Sequence, residues 1–134
     1  MNIKLFLTLY SMSVPVFVAI DMLWLGFIVK DFYRNRIGDL MGHINWIAAV
    51  MFYLVFLVGL TIFATYPAVV KESVVTGALL GSLFGFFTYA TYDLTNLATL
   101  RGWSLSVALV DMVWGAVLGG VVAALTTMVY LWLF

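Results

Sequence analysis

Four long apolar stretches decide what this chain can fold into. They run over residues 5–29, 45–66, 74–98 and 105–131. Each is long enough to cross a bilayer core of about 30 Å, which takes about 20 helical residues. Little of the 134-residue chain is left over. Its residues are 66% hydrophobic and 9% charged, whereas soluble domains carry roughly 25% charged residues. The expectation is an all-α polytopic membrane protein: a four-transmembrane-helix up-down bundle forming a single transmembrane domain over residues 1–134. A membrane β-barrel would need alternating rather than continuous hydrophobicity. Lys4 ahead of an apolar run resembles a signal peptide, but the run continues to Val29, contains Asp21 and offers no A-x-A site. It reads as a retained helix.

The links are short. KDFYRNRIGDLMGH, residues 30–43, is the only one with substantial polar content. YPAVVKES, residues 66–73, reads as a tight turn around Pro67, and TLRGWS, residues 99–104, as a tighter one. The polar run FFTYATYDLTNLATLRGW, residues 86–103, poses a choice between loop and membrane. As a loop it would leave the third helix only VVTGALLGSLFGFF, 14 residues, too short to span. The run therefore belongs inside the membrane, toward one end of that helix. Lys30, Arg34, Arg36 and Arg101 on one face outnumber Lys4 and Lys71 on the other. The positive-inside rule then puts residues 30–43 and 99–104 in the cytoplasm.

Net charge is zero, which gives no electrostatic footprint for nucleic acid. The absence of cysteine removes disulfide and thiolate chemistry. With one histidine, a two-histidine metal motif cannot form within a single subunit. No cofactor is expected. The natural partners are membrane lipids, a small-molecule or cation ligand, and a second copy of the chain through glycine-rich faces. Those faces are Gly77, Gly81 and Gly85 on the third helix, and Gly115, Gly119 and Ala123 on the fourth. Small residues at every fourth position let helix backbones approach closely, so either these two helices meet or the ridges form a homodimer seam.

Asp21, Asp93 and Asp111 each fall inside an apolar span. A carboxylate at mid-membrane costs roughly 2.5–3.5 kcal/mol on insertion scales, so three facing lipid would cost on the order of 8–10 kcal/mol. At 1.5 Å per residue, Asp21 lies about 13 Å before Lys30, Asp93 about 12 Å before Arg101, and Asp111 about 9 Å into its helix. All three share one leaflet half and are expected to converge on one polar site. Tyr89, Tyr92 and Asn96 join them from the third helix, and His43 from the start of the second. The alternative use of these carboxylates is structural, locking the bundle through tyrosine, asparagine and indole partners. DMLWLG at 21–26 and DMVWGA at 111–116 put Trp24 beside Asp21 and Trp114 beside Asp111 at i, i+3 spacing. On antiparallel helices the shared pattern hints at an inverted repeat. Trp46, Trp103 and Trp132 are expected to mark the membrane interfaces, and Met22 and Met112 to fill the core.

DMLWLG, YDLTNLATLRGW at 92–103 and DMVWGA carry a resemblance to a family of small bacterial membrane proteins, the domain of unknown function 2177. The likeness runs over essentially the whole chain. It implies a multi-pass protein of the bacterial inner membrane and assigns no catalytic residue. Three functions compete. A carboxylate cluster reached from one face suits a small transporter or a module binding a proton, cation or amine. Asp93 or Asp111 with Tyr89 or Tyr92 suits acid–base chemistry on lipid at headgroup depth. A cluster that only orders the bundle suits an accessory subunit.

Overall fold

The computed structural model describes all 134 residues. It contains helices and turns and no strand. Four helices have the length and apolarity to cross a membrane: α1 (Ile3–Ile28), α3 (Trp46–Val70), α4 (Val74–Thr99) and α5 (Leu105–Leu133). The polar segment after α1 forms a short helix, α2 (Lys30–Ile37), followed by one 3-10 turn at Gly38–Leu40.

Each long helix starts on a side chain that accepts from its first free amides, which have no carbonyl partner within the helix. Asn2 serves α1, Asn45 serves α3, Ser73 serves α4 and Ser104 serves α5. The tight turn expected over residues 66–73 is shorter in the structure, because Tyr66–Val70 remain helical. Pro67 has no N–H to return to the preceding turn, and the chain absorbs this with a wider π-helical segment, Thr61–Thr65, just before it. The turn proper is Lys71–Ser73. It closes with Ser73 N–H bonded to the Ala68 carbonyl at 2.9 Å, while Glu72 takes φ +49°, a Schellman-type ending. Gly102 supplies the left-handed residue of the other turn at φ +82°. The Asn2 amide donates to the Tyr66 hydroxyl at 2.8 Å, which ties the start of α1 to the α3 end beside the 71–73 turn.

Packing follows rows of residues four apart. On α1 the buried positions are Leu9, Ser13, Phe17 and Asp21. On α4 the buried row is Gly77, Gly81 and Gly85, which at the same spacing runs on through half-buried Tyr89 to buried Asp93. On α5 it includes Asp111, Gly115, Gly119, Ala123 and Thr127. The α4 and α5 rows meet face to face. A Cβ added to Gly81 or Gly119 would run into the carbonyl oxygen of the other, and Gly85 stands in the same relation to Gly115. Both glycine faces are therefore used within one chain. The homodimer seam considered for them gives way to an intrachain contact. α1 and α3 complete the bundle through Phe17, Phe56, Leu57 and Leu60 packed against Leu118 and Val122 of α5. Met22, expected in the core, is 45% exposed on the lipid side, because it stands one residue off the buried row of α1.

Candidate functional site

The aspartates stand where those rows reach the end of the bundle away from the 71–73 turn. An apolar row that continues by fours carries its last member to the same inward face, so each carboxylate points into protein rather than lipid. Asp21 is 3% exposed, Asp93 0% and Asp111 9%. Asp21 and Asp111 line a cavity of about 540 Å³, together with Trp24, Tyr33, Tyr53, Thr88, Tyr89, Tyr92, Trp103 and Trp114. Ile37, Met41 and Phe52 contribute further apolar wall. No lysine, arginine or histidine reaches it.

Two indoles organise the carboxylates. Trp24 and Trp114 stack with centroids 4.0 Å apart and planes 4° from parallel. Each i, i+3 pair was expected to act beside its own aspartate, but the bonding crosses between helices. Trp114 Nε1 donates to Asp21 Oδ1 at 3.4 Å. Trp24 Nε1 donates to the Tyr33 hydroxyl at 3.4 Å, and that hydroxyl donates to Asp111 Oδ1. The Tyr53 hydroxyl approaches Asp21 from α3. Opposed chain directions place Asp-x-x-Trp of α1 against Asp-x-x-Trp of α5 head to tail, so each indole reaches the other helix's side of the site.

Tyr33, Ile37 and Met41 come from the segment after α1 and cover the cavity from the bundle end. Arg36 holds this cover down, donating from Nε to Ser106 Oγ at 2.9 Å while its guanidinium lies 4.0 Å over the Phe32 ring. The Tyr33 phenol is held above its ordinary range, first by burial and then by its bond to Asp111 and that carboxylate's charge. It therefore stays protonated, and remains a donor, at physiological pH.

The other residues singled out in the sequence divide. Tyr89 and Tyr92 line the cavity. Asn96 is half-buried one turn beyond Tyr92, with its side chain near the Tyr92 hydroxyl. Asp93 is fully buried behind the cavity wall rather than on it. It lies within the field of the Asp111 carboxylate, and neither of its oxygens has a hydrogen-bond partner. His43 is exposed in the link before α3 and does not line the cavity. Trp103, expected at the interface, is half-buried in the cavity wall, edge-on to Tyr92 at 5.8 Å. The turn around Gly102 folds it back over the bundle end. Trp46 and Trp132 are exposed, at 67% and 81%. Tyr33 and Tyr53 were not anticipated as site residues. The 33, 37, 41 spacing of Tyr, Ile and Met was the available signal for the cover, hidden among the charges of the link.

A family model described as a predicted membrane protein, DUF2177, matches residues 6–128. The chain belongs to this family. No curated protein and no solved structure matches it. The DUF2177 match spans every residue of the cavity, from Asp21 to Trp114. The cavity thus lies within the matched stretch.

Proposed function

We propose that this protein is a membrane module that binds a small organic cation between Asp21 and Asp111. One observation carries the reading: two buried carboxylates share a cavity walled by tryptophan and tyrosine, with no basic side chain among its lining residues. Aromatic faces attract a cation most strongly where water is excluded, and carboxylates supply the counter-charge. An anion or phosphate ester would be repelled by both carboxylates and would find no cationic side chain to offset that repulsion. Burying two carboxylates is costly unless something compensates them. Tyr33 and Trp114 compensate in part, and a cationic ligand would complete the task. A purely structural role needs no open space at the carboxylates.

The test uses tetramethylammonium and its uncharged counterpart neopentyl alcohol, titrated into the protein in the uncharged detergent dodecyl maltoside. Indole fluorescence reports occupancy through Trp24, Trp103 and Trp114. Saturable binding of tetramethylammonium and none of the alcohol is expected. Equal response to both would overturn the cation reading.

The same reading places the protein in the bacterial inner membrane as one transmembrane domain, with the cavity end facing the cytoplasm. The excess of Lys and Arg on residues 30–43 and 99–104 supports this. Asn35→Cys and Lys71→Cys probe opposite ends of the bundle. In intact cells an impermeant thiol reagent should label the second variant and spare the first. Labelling of the first alone would reverse the orientation.

A further inference from the structure

A second recess lies on the outer surface of the bundle, where α1 meets α5. Trp24, Leu109, Val110, Val113, Trp114 and Val117 line it, with no charged side chain among them, and both indole N–H groups are engaged by Tyr33 and Asp21. It opens to the lipid, since Leu109, Val113 and Val117 are 55%, 64% and 47% exposed. Trp24 and Trp114 border both this groove and the inner cavity. The stacked indoles are therefore the partition between a lipid-facing groove and two carboxylates.

That partition is lightly fastened. Each indole N–H is held by one hydrogen bond at 3.4 Å, at the long end of useful geometry. On the α1 side the helix changes to a π turn at Trp24–Ile28, and a side chain added at Gly26 would meet nothing within 4 Å. π turns recur where a helix serves function at some cost in regularity. The groove also has a direction. Val117 lies six residues beyond Asp111 along α5, about 9 Å deeper into the bilayer. An occupant with its charged end at Asp111 would lay its apolar part toward the midplane, in the orientation that a lipid adopts.

We propose that the ligand is a cationic amphiphile: an alkylammonium head held between Asp21 and Asp111, with its hydrocarbon chain lying in the α1–α5 groove. It enters from the lipid by parting the Trp24–Trp114 stack. The proposal rests on the cation reading above and adds the chain and its route. The charge pattern selects the class. The groove offers nothing to a polar chain, and the carboxylates repel a phosphate-bearing head.

The probes are dodecyltrimethylammonium and tetramethylammonium, which share a head and differ in the chain. The variant is Val113→Trp, which fills the groove at an exposed position outside the inner cavity. In dodecyl maltoside, Val113→Trp should weaken dodecyltrimethylammonium at least about 10-fold by overpacking the chain site. It should leave tetramethylammonium within about 2-fold, because the cavity is untouched. A diazirine carried on the alkyl chain should crosslink to α5 between Leu109 and Val117. If tetramethylammonium binds but Val113→Trp alters neither probe and the crosslink falls elsewhere, the groove and lateral entry are overturned and the cation reading stands. If tetramethylammonium does not bind, the cation reading fails and this proposal with it.

Discussion

Gly119→Leu should pull apart the α4–α5 pair. Gly119 and Gly81 are each so close to the other's carbonyl that even a Cβ cannot be placed without moving backbone. A flexible neighbour could turn aside, but a helix backbone can only shift as a unit, and that shift would break the contacts of Gly77, Gly85 and Gly115 along the same row. In a bilayer no hydrophobic force draws helices together, so the loss of close packing has little to offset it. The expected cost is about 3 kcal/mol, the upper end of the overpacking range, read as a lowered melting temperature in detergent. Gly42→Leu is the control, since nothing lies within 4 Å of a Cβ there. Equal melting of the two variants would mean that the α4–α5 seam does not hold the bundle together.

Neutralising both cavity carboxylates, by Asp21→Asn with Asp111→Asn, should abolish tetramethylammonium binding while leaving the bundle folded. Each carboxylate supplies a charged contact of about 1.5–3 kcal/mol to a desolvated partner, so each single variant should lose roughly 10- to 100-fold in affinity. Folding should tolerate the change because asparagine keeps the size of the side chain and can accept from Trp114 or Tyr33 as the carboxylates do. Removing a desolvated charge also lowers the cost of burial. Asp93→Asn separates a site effect from a general effect of charge. Asp93 lies behind the wall, so its loss should alter binding by less than about threefold through the screened field at Asp111. Fluorescence titration of the parent and the four variants decides the matter. If Asp93→Asn matches the double variant, the charge that matters is not the one lining the cavity.

Much of this arrangement is local in origin and therefore legible in the sequence. Length and hydropathy determined four crossings, because a helix in hydrocarbon satisfies its own backbone and needs only enough apolar residues to span. The fourfold spacing determined more. Asp93 stands twelve residues beyond Gly81, Asp111 four before Gly115, and Asp21 four beyond Phe17. Each carboxylate thus inherits the inward face of a packing row. The aspartates face protein because they are in register with residues that must.

Tertiary structure decided which inward-facing groups share a space. A row specifies the face of its own helix, but not how far that helix is turned or set back against its neighbours. Close packing at Gly81 and Gly85 draws α4 tightly onto α5, and Asp93, on the same row, ends behind the wall while Asp21 and Asp111 open onto the cavity. The crossed pairing of Trp114 with Asp21, and of Trp24 through Tyr33 with Asp111, joins three separate elements. No spacing within one element encodes it. Trp103 becomes cavity wall because a left-handed Gly102 turns the chain back over the bundle, and His43 stays outside because its link runs over the surface. Hydropathy and helical period are properties of one segment read along its own axis. The cavity is set by how several axes are placed against one another, and that placement depends on side-chain contacts between residues far apart in the chain.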